Sequence, residues 1–301
     1  KSSAASDVYK RQLPSIDQQL TFSKLSIELI RVLGIEQLNR DILKTLELYS
    51  DQNGFNNAAA LLADTNSFKG IDIIRFGNSI NEIMERKSLE NISILLQMEQ
   101  CIQMFHQYYR YEKIEGMDRK SVDKIPERAF REAVANALVH RMWDIPASIK
   151  ISMYSDKIEI SSPGGLPAGI SEDEYLNGQI SLLRNPIIGN VFFRLKYIEK
   201  FGTGIMRINY AYKDALIKPD YHIFSNSIQI ILPVIKSDYK LNETEKKLLN
   251  ILKINGSMTR NEIEKAAEID KSKAIRGLNR LIEKKMIQKR DLGRGTKYEI
   301  V

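Results

Sequence analysis

The spacing of apolar residues changes several times along the chain, and each change predicts a different element. Between residues 88 and 109 the apolar positions recur at helical spacing: Ile92, Leu95, Leu96, Met98, Ile102, Met104 and Phe105 form one stripe, which predicts a helix. Between residues 147 and 161 the period is two. Ile149, Ile151 and Met153, then Ile158 and Ile160, alternate with polar residues on either side of Ser155-Asp156, which predicts an antiparallel pair with one buried face. Residues 221–224 and 227–234 predict two closing strands. Residues 22–48 predict two helices broken near Gly34, and 56–64 and 70–76 predict short strands separated by the turn-like TNSFKG.

A further helix opens at Ile125-Pro126-Glu127, where the missing proline N–H costs little, and runs through RAFREAVANALVHRMW. The Gly/Pro-rich SSPGGLPAG leads into an irregular stretch that ends at Arg184-Asn185-Pro186. Helices over about 187–198 and 204–216 flank Phe201-Gly202-Thr203-Gly204. Helices mixed with a mostly antiparallel sheet predict an α/β fold of the α+β, two-layer sandwich kind, not a doubly wound parallel sheet.

After a linker over 233–240 the pattern starts afresh. Residues 243–254 predict an amphipathic helix ended by Gly256. Thr259 with Glu262 three residues on is a capping box for a second helix. Residues 271–285 predict a third, buried through Ile275, Leu278, Leu281 and Ile282, and the runs 286–290 and 296–301 predict a hairpin across DLGRG. Three helices followed by a hairpin is the order of a winged helix.

Composition bounds the rest. A chain of 301 residues with 43% apolar and 28% charged residues is long enough for two or three ordinary globular domains. No apolar run approaches the length of a membrane span, and no apolar core followed by a small-residue cleavage site marks a secretory signal. The single cysteine, Cys101, fits a reducing compartment and excludes a cysteine zinc cluster, so the cytoplasm is the expected location. Net charge is +7, and residues 241–301 hold fifteen of the lysines and arginines against nine acids. Almost the whole excess therefore sits in the terminal segment, as expected for a polyanion-binding module.

On the helix over 125–143, Arg128, Glu132, Asn136 and His140 recur every four residues and form one stripe. A carboxylate and an amide on one face suit a Mg-nucleotide site. Glu132 would orient or deprotonate water, Asn136 would ligate the hard cation, and His140 would contact phosphate. A solvated stripe, and a structural role for His140, fit the same spacing. Gly164, Gly165, Gly202 and Gly204 would let backbone N–H groups approach phosphates, the second pair just before a helix N-terminus.

The run EAVANALVH, then ISSPGGLP, then RNPIIGNVFFRLKYIEKFGTGIMRI resembles the ATPase-like domain of proteins labelled RecG-like helicase or transcriptional regulator. That domain is similar to the Bergerat (GHKL) ATP-binding fold of histidine kinases and gyrase. The resemblance implies ATP and Mg2+ as cofactors, Glu132 as general base and Asn136 as Mg ligand. It also implies adenine-side glycines at Gly164 and Gly165 and phosphate-lid glycines at Gly202 and Gly204. Residues 22–110 resemble the tail of an AlbA-type, Schlafen-like domain and its connecting helix. The implied organisation is a disordered or non-native tail over 1–20, a partial AlbA-type region over 21–118, an ATPase-like domain over 119–235 and a winged helix over 241–301. Two departures speak against turnover: Ser161 or Ser162 stands where the family has an adenine-binding Asp, and Val139 where it often has Lys. The chain has no G-x-x-x-x-G-K-[ST] run, which excludes a P-loop motor.

In the last segment Lys271, Ser272, Lys273, Arg276 and Arg280 lie on the third helix, with 273, 276 and 280 on one face. A winged helix lays this helix in the major groove, where Arg pairs with guanine and Lys and Ser hold phosphates. Lys289, Arg290, Arg294 and Lys297 mark the wing. Six or so phosphate contacts would weaken binding about a thousandfold between 50 and 200 mM salt. The expected function is a DNA-binding transcriptional regulator, a homodimer on double-stranded DNA with no membrane association. A Mg-dependent ATPase targeted to DNA, and an adaptor with both modules degenerate, are the alternatives.

Overall fold

The computed structural model describes residues 12–300, except 117, 168, 179–181, 200–202, 216, 236–240, 285 and 292–295. Two compact units divide the chain, Lys1–Ile235 and Lys236–Val301.

The first unit opens with helices α1 (Ser23–Leu33), which Gly34 ends at φ 68°, and α2 (Arg40–Thr45), capped by Asn39. A short ladder of β1 (Tyr49–Ser50) and β2 (Gly54–Phe55) precedes α3 (Asn57–Leu62). The strand expected over 56–64 is thus a helix. Asn56 caps it by accepting from the Ala59 N–H, and every residue from Ala58 to Leu62 is buried, so no polar face displays a helical period. Residues 12–20, expected to belong to a disordered tail, are docked: Pro14 bridges Asn56, and the Ser15 N–H donates to the Phe55 carbonyl at 2.7 Å. Residues 1–11 lie outside the described residues.

Next come β3 (Ile71–Phe76), β4 (Ile83–Leu89) and α4 (Ile94–Tyr109), so the stripe expected over 88–109 is strand end, turn and then helix. A hairpin absent from the sequence reading follows, β5 (Arg110–Glu115) and β6 (Asp118–Asp123). Helix α5 (Glu127–His140) starts after Pro126, ahead of β7 (Ile149–Met153) and β8 (Lys157–Pro163). A short α6 (Glu172–Leu176), held by a Ser171–Glu174 capping box, leads to α7 (Pro186–Arg194) and α8 (Gly204–Ala211). The last two helices are shorter than expected. Strands β9 (Asp220–Ile223) and β10 (Ser227–Pro233) close the unit.

Six strands form one mixed sheet in the order β4-β3-β7-β8-β10-β9. Only β3 and β7 run parallel; the other neighbours are antiparallel. Register places Ile151 opposite Ile160 and Ile160 opposite Ile230, so these buried residues share one face. Helix α5 lies on that face, where the buried Ser162 hydroxyl donates to the Ala137 carbonyl at 3.0 Å. Phe130 of α5 stacks on Phe105 of α4 with ring centroids 4.7 Å apart. The architecture is a two-layer α/β sandwich. The boundary expected at 118/119 falls within it, because β3 and β4 lie in the same sheet as β7–β10 and one core runs through both segments.

The second unit holds α9 (Glu243–Asn255), β11 (Met258–Thr259), α10 (Arg260–Ala267), α11 (Lys271–Glu283), β12 (Ile287–Asp291) and β13 (Thr296–Ile300). Capping boxes at Asn242–Glu245 and Thr259–Glu262 start the first two helices, and Asp270 caps the third. Its sheet runs β11-β13-β12. Leu248, Leu252, Ile263, Leu278, Leu281 and Ile287 form a core of their own. Glu245 is almost fully buried and pairs with Lys284 at 2.7 Å, tying α9 to the end of α11. Gly277 lets those helices approach: a Cβ there would lie 2.5 Å from Leu248 Cδ1.

Candidate nucleotide cleft and nucleic-acid interface

The stripe on α5 faces a cleft in the first unit. Glu132, Asn136, His140, Glu199 and Gly204 line it, with Pro167, Ile170, Tyr175, Leu182, Leu183, Ile198 and Ile205 as its apolar wall, around about 640 Å³ open to solvent. Glu132 is 7% exposed. Burial pushes its carboxyl above the usual range, while the charges of Arg207 and Arg128 pull the other way. Arg207 donates to Thr203 Oγ1 at 3.1 Å and stands 3.4 Å from Glu199, so a cation and two carboxylates meet at the start of α8. Half-buried His140 is held neutral, its pKa pushed down to about 4 by burial and by the nearby Arg184 charge.

Gly204 is where α8 touches α5. A Cβ built on it would lie 2.3 Å from Asn136 Nδ2 and 2.9 Å from Glu132 Oε1, so any larger residue would push these side chains from their places. Gly164 and Gly165 are buried and are not among the residues that line the cleft. The Gly164 N–H donates to the Asn226 carbonyl at 2.8 Å in a backbone at φ 108°. A Cβ on Gly165 would lie 2.3 Å from the Ser225 carbonyl oxygen. Packing alone thus calls for glycine at both positions. Gly202 lies outside the described residues.

Two side chains that sequence reasoning left without a role hold this region together. Arg184 is 4% exposed and donates to the carbonyls of His140 and Gly165, both at 2.9 Å. Buried Asn185 donates to those of Val139 and Arg141 at 2.7 and 2.9 Å. Together they satisfy carbonyls at the α5 C-terminus and fasten the glycine loop to it. The Arg184-Asn185-Pro186 run was the only local signal. Arg141, fully buried over Trp143, does similar work by donating to Lys69, Gly70 and Ala147 carbonyls.

Oxygen donors from Asn136, Glu199 and Glu132, the last a buried carboxylate with no hydrogen bond among the described residues, suit a hard cation carrying phosphates. The apolar wall suits a flat base. The residues present therefore fit a magnesium-bound nucleotide.

In the second unit, α11 is divided lengthwise. Ala274, Gly277, Leu278 and Leu281 are buried, while Lys271, Ser272, Lys273, Arg276 and Arg280 are exposed. Arg280 stands 3.8 Å from Glu245, and Arg290 is paired with Glu299 at 2.7 Å. Register sets Arg290 opposite Lys297 across β12 and β13, so both lie on the face opposite buried Ile287. Arg294 lies outside the described residues.

An ATPase-like α/β unit followed by a winged helix is the class these two sites define. Residues 147–232 match the family described as "Putative ATP-dependent DNA helicase recG C-terminal". Residues 235–301 match the family described as "Sugar-specific transcriptional regulator TrmB". The chain thus joins an ATPase-like domain of the RecG C-terminal type to a transcriptional-regulator winged helix. Gly164, Gly165 and Gly204 lie within the first match, and Glu132, Asn136 and His140 precede it. The crystal structure of the DIP2311 protein from Corynebacterium diphtheriae superposes with a TM-score of 0.63 at 18% identity, over 99% of this chain and 67% of that one, a likeness of fold. No curated protein matches the chain in sequence.

Proposed function

We propose that this protein is a transcriptional regulator that binds duplex DNA through α11 and the β12–β13 wing, while its α/β cleft takes Mg-ATP as a signal. The observation that carries the reading is the row Lys271, Lys273, Arg276 and Arg280, exposed along a helix whose other face is core. Such a helix places cations at major-groove depth, where Arg reads guanine and Lys holds phosphate. The protein acts as a homodimer, so two recognition helices meet half-sites about one helical turn apart. Its place is the cytoplasm, where buried Cys101 stays reduced. No helix among the described residues is long and apolar enough to cross a membrane.

Selection of preferred sites from random duplexes, followed by Arg276→Ala, tests the DNA half. Loss of about 1–3 kcal/mol on the selected site and little on random DNA is expected. Equal losses on both reassign Arg276 to phosphate contact, and no duplex binding at low salt refutes the reading. For the cleft, Mg-ATP at 100 times its dissociation constant should add about 2.7 kcal/mol of stability. Glu132→Ala and Asn136→Ala should each abolish that gain; calorimetric binding unchanged in both places the nucleotide elsewhere.

A further inference from the structure

The β5–β6 hairpin stands apart from the main sheet as a two-stranded sheet of its own. Its root is fixed: Arg110 donates to Asp123 at 2.7 and 3.1 Å and pairs with Glu127. Its outer part is exposed from Asp118 to Ser121. Two strands alone are marginal in water, and a third strand is the usual remedy. The outer edge of β6 has no strand partner among the described residues.

We propose that this hairpin is the dimerisation arm, with β6 pairing antiparallel to β6 of a second copy about a two-fold axis at Ser121. The inference rests on the homodimer reading above and supplies its interface. A two-fold axis between antiparallel strands runs along the sheet normal, so one residue must face its own copy. With Ser121 on the axis, Arg119 lies opposite the partner's Asp123, Asp118 opposite the partner's Lys124, and Lys120 opposite the partner's Val122. Each ion pair occurs twice. An axis on Arg119 or Lys120 sets a cation against itself, and one on Val122 sets Lys120 directly opposite the partner's Lys124. On β5, an axis at Glu112 or Lys113 opposes like charges, whereas one at Tyr111 sets Arg110 opposite the partner's Glu112 and one at Ile114 sets Lys113 opposite the partner's Glu115, a single kind of ion pair in each case against two kinds for Ser121. Opposite charges directly across a ladder stabilise it and like charges oppose it, so the charge pattern favours β6 with its axis at Ser121, the register with the most ion pairs.

Within each hairpin Asp123 is already held by Arg110, and Arg119 stands 3.7 Å from Glu112. Pairing would join these into a row that crosses the axis with alternating sign. A six-residue strand pair is shorter than a standard interface, so the dimer should dissociate on dilution and with added salt.

The test uses the full chain. Directly opposed residues of an antiparallel pair have Cα atoms about 4.5–5.5 Å apart, within the span of a disulfide. Cys101 is fully buried and leaves a clean background. Mild oxidation of S121C should give a reducible covalent dimer, while wild type and K113C stay uncrosslinked. By sedimentation equilibrium, D118K and K124D should each weaken dimerisation roughly tenfold, and D118K/K124D should restore it. A monomer at every concentration would remove both this interface and the homodimer reading. A dimer that S121C does not crosslink and the charge exchange does not affect would leave the homodimer standing and overturn the β6 interface.

Discussion

Gly204→Ala tests the close approach of α8 to α5, on which the cleft depends. The added methyl would stand 2.3 Å from Asn136 Nδ2 and 2.9 Å from Glu132 Oε1, both well inside van der Waals contact. Overpacking of this kind costs about 1–3 kcal/mol. Alanine recovers part of that, up to about 0.5–1 kcal/mol in a helix interior and less at a first helical position. A net loss of about 1–2 kcal/mol remains, a fall in melting temperature of about 2–8 °C for a unit of this size. Trp143 is the sole tryptophan and is buried in the first unit, so its fluorescence follows that unit's unfolding separately. Because Asn136 must move to admit the methyl, stabilisation by Mg-ATP should also fall. The double variant Asn136→Ala/Gly204→Ala should lose less stability than the two singles summed, with a coupling of about 0.5–3 kcal/mol. Gly204→Ala as stable as wild type, or additivity in the double variant, refutes the contact.

Glu132→Gln should stabilise the first unit at neutral pH. Burial raises the native carboxyl pKa, so the charged form costs stability from the ordinary carboxylate pKa upward, in full above the raised value, and the advantage of Gln should shrink as pH falls from the raised value and vanish below the ordinary one; pH-dependent melts read this out. His140 has the opposite sign. Its pKa is lowered from 6.5 to about 4, so its contribution is complete above 6.5 and is lost as pH drops towards 4, whereas His140→Gln should be flat across that window. Arg184→Met leaves the His140 and Gly165 carbonyls without its guanidinium and should cost about 2–4 kcal/mol in denaturant unfolding; a loss under 0.5 kcal/mol would mean that water replaces it without penalty.

The elements visible in the sequence were those whose two faces meet different surroundings. Strands β7, β8 and β10 bury alternate residues against α5, and their period of two was plain. Helix α11 has its cations on one side and Leu278 and Leu281 on the other, and the capping boxes of the winged helix are local signals. Helix α3 misled because it is buried on all sides, which leaves no period to detect, although Asn56 was a legible cap. The β5–β6 hairpin was missed for the converse reason: exposed on both faces, it carries charges where a strand usually alternates. Long-range closure was also hidden. The parallel pairing of β3 with β7 spans more than seventy residues, and the hold of Arg184 on the α5 C-terminus spans forty-four. The cleft was legible as a stripe of Glu132, Asn136 and His140. That Gly164 and Gly165 are needed by their neighbours' packing was not, because those neighbours come from distant segments.

The central claim, that α11 is a DNA-binding helix, predicts a salt dependence set by its cations. Arg280 and Arg290 stand beside acids, whereas Lys271, Lys273 and Arg276 form no ion pair among the described residues. With Arg276 reading a base, two phosphate contacts from Lys271 and Lys273 give a slope of about −1.8 in log affinity against log salt for each winged helix, or about a twelvefold loss between 50 and 200 mM. That is less than the sequence's full set of cations would give. Fluorescence anisotropy of the full chain on labelled duplex DNA should show this slope or a steeper one, and Lys271→Ala/Lys273→Ala should flatten it by about 1.8. A double variant that binds with unchanged affinity and slope would contradict the account.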